Sequence, residues 1–101
     1  MTETAFAHWS LLPGPAVPPL AGKGATLRQV QVAAGRVATS HSHDYEQFLL
    51  VTAGSGTLQC AAGEVTLGPG VVIHLPPGAW HSANFTSDTV LLEVNMTEPT
   101  S

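Results

Sequence analysis

The sequence predicts an all-β fold, a sandwich or barrel of about eight to nine short strands. Ten glycines and eight prolines stand among its 101 residues, and only 10% of the residues are charged. This composition favours short strands joined by turns over helices. No stretch has the period and length of a convincing helix, so the crossover helices of a parallel α/β fold are missing. The apolar share of 44% is enough for the core of one small domain.

The first 24 residues are predicted to form an arm rather than part of the barrel. Proline has no N–H group to donate to a central ladder, so this proline-rich segment is expected at an edge or wrapped around the barrel. The arm contains apolar side chains, including Trp9 and Leu12, and we expect these to cover the barrel or a partner subunit. The barrel itself is expected over residues 25–96, and residues 97–101 are expected to fray.

Alternating apolar and polar residues, interrupted by glycine- and proline-rich turns, predict eight strands in the barrel segment. The first of these strands places Val30 and Val32 on one face. The third, over 46–53, is apolar almost throughout, which is typical of a strand buried on both faces. The predicted strands are 25–34, 36–40, 46–53, 57–61, 64–67, 71–75, 80–85 and 89–96.

Charge and cysteine content exclude several classes of function. The net charge is −4, and the three fixed cations, Lys23, Arg28 and Arg36, are too scattered to form a nucleic-acid-binding patch. No apolar run approaches the ~20 residues of a membrane helix, and the N-terminus lacks the pattern of a signal peptide. Cys60 is the single cysteine, so no internal disulfide can form. We therefore expect a cytoplasmic protein that binds neither nucleic acid nor membranes.

Three histidines have a spacing that indicates a metal site. His41 and His43 are separated by one residue, so an extended chain places both imidazoles on the same side. His81 follows a Pro-Pro-Gly sequence that is expected to bend the chain. Neutral imidazole is a good ligand for one divalent transition metal, whether Zn, Fe, Mn, Ni or Cu. The fourth ligand is Gln47 or Glu46: a carboxylate binds more strongly, but the two side chains face opposite sides of a strand.

The residues around the first two histidines resemble the first motif of the cupin family, G-x5-H-x-H-x3,4-E-x6-G. Gly35 is followed after five residues by His41 and His43. Three further residues lead to Gln47, and six more lead to Gly54. Every spacing fits, and the one departure is glutamine in place of glutamate.

The residues around the last histidine resemble the second cupin motif, G-x5-P-x-G-x2-H-x3-N. Gly70, Pro76, Gly78 and His81 all stand at the matching positions. Phe85 occupies the final position, and the asparagine stands one residue early. Fifteen residues separate the two motifs, as in the compact single-domain bacterial members of the family.

The resemblance covers residues 35 to about 85 and implies a cupin jelly-roll barrel. It also implies a metal held by His41, His43, Gln47 and His81. The glutamine at the fourth ligand position is similar to that of cupins of the pectin-degradation type, which act on breakdown products of sugar acids. In this interpretation Gln47 is the ligand in preference to Glu46.

Several other side chains near the histidines are candidates for the reaction or for the pocket. Glu46 and Tyr45 are candidates for proton transfer. Phe85, Phe48 and Trp80 either pack in the core or form the pocket wall, and Phe85 is the strongest of the three because it is in phase with the last histidine.

Three imidazoles and an amide leave the +2 charge of an ion uncompensated, which favours a small anionic or chelating substrate. We therefore expect a metalloenzyme, either an isomerase or lyase acting on a sugar acid or keto acid, or a dioxygenase. The alternative is a non-catalytic module that binds a metal or a small ligand. The low charge content and the apolar arm also predict a homodimer.

Overall fold

A computed structural model describes residues 10–11 and 14–96 of the chain. This part of the chain contains nine strands and no helix, so the all-β prediction is confirmed. The strands are β1 (Leu20–Ala21), β2 (Ala25–Val32), β3 (Val37–His41), β4 (Gln47–Ala53), β5 (Gly56–Cys60), β6 (Gly63–Leu67), β7 (Val72–Leu75), β8 (His81–Phe85) and β9 (Thr89–Met96).

The strand boundaries lie close to those predicted from the pattern. The predicted strand 89–96 coincides with β9, and the other seven differ by one or two residues at an end. β1 was not predicted as a strand. It lies in the proline-rich segment, where Leu20 pairs with Leu27 at the edge of a sheet. Trp9, Leu12 and residues 97–101 lie outside the described residues.

The strands form two antiparallel sheets packed face to face. One sheet has the order β1-β2-β9-β4-β7 and the other the order β3-β8-β5-β6. Burying one side chain of the Leu or Phe type contributes roughly 1.5–3 kcal/mol, so the layer between the sheets is the main source of stability. The buried core residues of this layer are Leu49, Val51, Leu58, Leu67, Ile73, Leu75, Ala83, Phe85 and Leu91.

A glycine allows β5 and β8 to approach closely. A Cβ atom at Gly56 would lie 2.1 Å from the carbonyl oxygen of Asn84, so no larger residue fits there without a shift of the backbone. Gly56 pairs with Phe85, and the same ladder continues until Cys60 pairs with His81. The glycine thus permits the close approach of β5 to the strand that carries the last histidine.

A β-bulge controls which way His41 points. Ala38 pairs with Ala83 and His41 pairs with His81, so three steps along β3 match two steps along β8. Side chains alternate with a period of two, and a regular strand that turns Ala38 inward would turn His41 outward. The extra residue of the bulge restores the inward direction at His41.

Candidate metal centre

Three imidazoles meet at one end of the layer between the sheets. His41 ends β3, His43 lies in the following loop, and His81 begins β8. The ring centroid of His41 is 5.0 Å from that of His43 and 4.2 Å from that of His81. One ligand nitrogen from each ring lies within 4.8 Å of the other two. The three histidines predicted to share a metal are therefore brought together.

Backbone carbonyls orient two of the rings. Nδ1 of His41 donates to the carbonyl oxygen of Thr39 at 2.7 Å, and Nδ1 of His81 donates to that of Ala79 at 3.3 Å. A ring that carries its proton on Nδ1 presents the lone pair of Nε2 to a metal. Such hydrogen bonds fix the tautomer and the ring orientation of metal-binding histidines.

His43 lies beyond the end of β3, so the two histidines do not both sit on a strand as expected. A turn holds it instead: the N–H of Gly78 donates to the carbonyl oxygen of His43 at 2.7 Å. Gly78 has a φ of 79°, a conformation that favours glycine. Tyr45 stacks on the His43 ring with centroids 4.8 Å apart and planes 18° apart. The turn before β8 therefore links the segments that carry the second and third histidines.

Burial favours the neutral form of His81, which is the form that binds metals. The residue is only 6% exposed. Desolvation by burial lowers its pKa, and the neighbouring His41 and His43 lower it further, against the opposing hydrogen bond to Ala79. An imidazole with a lowered pKa has its lone pair available at neutral pH.

Gln47 lies at the same end of the molecule, opposite the histidines. It is 3% exposed and lines the same cavity. Its Nε2 donates to Oδ1 of Asn95 at 2.8 Å, which leaves the amide oxygen to serve as an acceptor or a metal ligand. Gln47 as the fourth ligand stays a prediction that this placement favours.

A cavity of about 180 Å³ extends from the three histidines into the layer between the sheets. Most of its wall consists of aliphatic and aromatic side chains, and Phe85 is among them. The cavity is also lined by two charged residues, Arg36 and Glu93. The cavity is large enough for a small organic acid and is mainly apolar.

Glu93 is a cavity residue that the sequence pattern does not indicate. It pairs with Leu49 in the ladder between β9 and β4, and the next inward pair towards the histidines is Asn95 with Gln47. The Glu93 side chain therefore enters the cavity one inward-facing pair further from the histidines than Gln47. Leu91 and Glu93 are two residues apart, so they face the same side of β9. The sequence pattern does not reveal that this side faces the cavity, because Leu92 on the other side is also apolar and equally buried.

The structure places Glu46 outside the cluster of His41, His43 and His81. Its Oε2 contacts Nε2 of His74 at 2.5 Å, and the two side chains are 39% and 48% exposed. Glu46 directly precedes Gln47, so its side chain leaves the opposite face of the strand. This orientation supports neither of the roles predicted for Glu46, as a ligand or in proton transfer. Tyr45 contacts His43 but does not line the cavity.

Two of the predicted pocket aromatics also lie outside the cavity. Phe48 alternates with the inward-facing Gln47 and Leu49, and its ring stacks on that of His74 with centroids 4.8 Å apart. Trp80 lies just before β8 and is 44% exposed. Neither residue lines the cavity, so this placement does not support the pocket role predicted for them.

A family model described as a cupin domain matches residues 28–95. The chain belongs to the cupin family. Both motifs described above lie inside the matched range, and so do the three histidines and Gln47. No functionally curated protein matches this cupin.

Solved structures show the same fold at low sequence identity. KdgF from Halomonas sp. is 20% identical, with a TM-score of 0.66 over 74% of this chain and 72% of that one. A putative mannose-6-phosphate isomerase from Ralstonia eutropha is 20% identical, with a TM-score of 0.69 over 79% and 82%. Salicylate 1,2-dioxygenase from Pseudaminobacter salicylatoxidans is 14% identical, with a TM-score of 0.68 over 72% of this chain and 21% of that one.

The donor set of this cupin fits a divalent transition metal. Three imidazoles converge, two of them donate a hydrogen bond from Nδ1 to a backbone carbonyl, and a buried amide lies on the facing sheet. Imidazole with an amide oxygen suits Zn, Fe, Mn, Ni and Cu, and it does not suit hard ions such as Ca²⁺, which prefer all-oxygen sites.

Among residues 10–11 and 14–96, no helix has the length and hydropathy of a membrane span.

Proposed function

We propose that this cupin is a metal-dependent enzyme that acts on a small carboxylate with an adjacent carbonyl or hydroxyl group. The proposed reaction is a proton transfer without a redox step, of the isomerase or lyase type. One observation carries the proposal: three imidazoles and a carboxylate, that of Glu93, face one cavity of about 180 Å³.

His41, His43 and His81, with Gln47, would hold the metal. A bound divalent ion supplies Lewis-acid polarisation of the substrate's carbonyl and carboxylate oxygens. All four ligands are neutral, so the site keeps a positive charge that attracts an anion. His41 is the most exposed of the three histidines and marks the side from which a substrate enters.

Glu93 is the residue proposed to move the proton. It replaces Glu46, which faces the other side of the sheet, and it lies one inward pair away from Gln47. In the proposed step the Glu93 carboxylate takes a proton from the carbon next to the substrate carbonyl, and it returns the proton to that carbon or to a neighbouring atom. The cavity walls around Glu93 are mainly apolar and limit the access of water.

The test is hydrogen–deuterium exchange of a small keto acid in D2O. Metal-loaded protein is incubated with 2-oxobutyrate, and the C3 proton signal is followed by NMR beside an equal concentration of free metal. We expect exchange faster than with free metal. Glu93→Gln should lose 10²-fold or more of it, as is typical when a general base is removed, while keeping the metal. Glu46→Gln is the matched control and should retain the exchange.

Other outcomes would contradict the proposal in distinct ways. Oxygen uptake without exchange would assign the cavity to dioxygenase chemistry. Binding of the acid with neither exchange nor oxygen uptake would make the protein a binding module. Equal exchange in the parent and in Glu93→Gln would leave the metal site in place and remove Glu93 from the reaction.

A further inference from the structure

The wall of the cavity changes character with distance from the histidines. The candidate ligands lie at one end of the cavity, and the next inward-facing pair along the ladder is Glu93 with Leu49. Beyond it, Val30, Leu91 and Val51 form one continuous row across three strands of the sheet. All of these side chains line the cavity.

The facing sheet continues the same apolar surface. Leu58 and Phe85 are 2% and 7% exposed and line the cavity from the other side. None of the described residues that line the cavity carries a hydroxyl group. Apart from the candidate ligands, Arg36 and Glu93 are the polar side chains among these lining residues.

A polyhydroxylated substrate would find too few partners here. Its carboxylate and first hydroxyl can bind at the metal end, but its remaining hydroxyl groups would face the row formed by Val30, Val51 and Leu91. A hydroxyl group that exchanges water for an apolar wall loses its hydrogen bonds, which weakens binding by about tenfold or more. A phenyl or branched alkyl group at the same place buries apolar surface instead.

We infer that the substrate has a chelating hydroxy- or keto-carboxylate head and a compact apolar body, rather than the polyhydroxylated body of a sugar acid. The head is the one required by the proposed function, on which this inference rests. The body lies between Val30, Val51 and Leu91 on one side and Phe85 on the other.

Two α-hydroxy acids test this inference because they share a head and differ in the body. Mandelate carries a phenyl group and threonate carries a hydroxylated chain. Both are titrated calorimetrically into the Zn²⁺-loaded protein and into the His41→Ala/His43→Ala variant, with Zn²⁺ alone as the blank. We expect mandelate to bind the parent at least tenfold more tightly than threonate, and we expect the variant to bind both acids weakly.

The outcomes separate the two proposals. Equal or tighter binding of threonate would overturn the apolar substrate class and leave the metal-dependent function standing. Absence of binding by either acid to the Zn²⁺-loaded parent would overturn the chelating head, and both proposals with it. Undiminished binding of mandelate to the histidine variant would overturn chelation and keep the apolar preference.

A pair of isosteric variants locates the effect in the cavity. Val30→Thr places a hydroxyl group in the wall, and Val65→Thr makes the same change at a residue that packs against the core without lining the cavity. We expect Val30→Thr to reduce the preference for mandelate severalfold and Val65→Thr to leave it unchanged. An unchanged preference in Val30→Thr, or an equal loss in both variants, would refute the proposed position of the body.

Discussion

Removal of the His81 imidazole should abolish metal binding while the barrel remains folded. His81 is the most buried of the three histidines, and its Nε2 is oriented by the hydrogen bond from Nδ1 to Ala79. The matched control is His74→Ala, which removes the same kind of side chain from the outer face of the other sheet. The His74 side chain is 48% exposed, and its partner is Glu46 rather than any residue of the cavity.

The size of the effect follows from linkage between binding and folding. At a metal concentration 100 times the Kd, binding stabilises the folded state by ~2.7 kcal/mol. A domain of this size gains ~4–8 °C per kcal/mol, so metal should raise the Tm of the parent by ~10–20 °C. Loss of a group that only hydrogen-bonds to a metal ligand weakens metal affinity by ~10–100-fold, so the loss of a ligand itself should weaken it by about 100-fold or more. The variant should then retain a shift of ~2–3 °C or less.

The assay is thermal unfolding of the untagged protein with and without added Zn²⁺, together with elemental analysis. The comparison is made within each variant, so the cost of the space left by the His81 ring appears in both measurements and cancels. His74→Ala should keep the full shift and about one metal per chain. Stoichiometric metal in His81→Ala, or loss of metal in His74→Ala, would refute the four-ligand site.

Three further predictions concern the same centre. The free energy of unfolding of the metal-free protein should fall as the pH is lowered from about 6.5, because the lowered pKa of His81 means that the unfolded chain takes up protons that the folded chain does not. Denaturant titrations at several pH values measure this slope, and His81→Gln should flatten it. Gly78→Ala should weaken metal binding about tenfold more than Gly70→Ala, because both glycines have a positive φ but only Gly78 donates to the carbonyl of His43. Competition with a chelator measures both variants, and equal losses would exclude a role for that hydrogen bond. Gln47→Glu should tighten metal binding by about tenfold, because a carboxylate ligand offsets the charge of the ion; an unchanged affinity would mean that residue 47 is not a ligand.

The sequence alone allowed the fold and the position of the site to be predicted, because both depend on local signals. Turn residues and strand alternation located β9 to the residue and the other barrel strands within two residues. The spacing of the two motifs indicated which histidines meet. The strand pattern did not predict the inward direction of His41 relative to Ala38, since the bulge breaks the period of two between them.

The orientation of the remaining side chains depended on tertiary pairing that the sequence does not display. Phe48 and Glu46 flank Gln47 in the sequence, yet both leave the opposite face of the sheet. The sequence pattern does not indicate Glu93, because both faces of β9 are covered, as the similar burial of Leu91 and Leu92 shows. Only the register with β4 reveals which face of β9 belongs to the cavity.

The two-residue strand β1 has a consequence for how these molecules behave at high concentration. A long unpaired edge strand exposes backbone N–H and C=O groups with which another chain can form a ladder, and this pairing can start aggregation. Here the edge of the five-stranded sheet ends after Leu20 and Ala21, and Pro18 and Pro19 before it have no N–H group to extend the ladder. The outermost strand of this edge therefore offers a further strand only two residues with which to pair, while residues 28–32 of β2 extend beyond it.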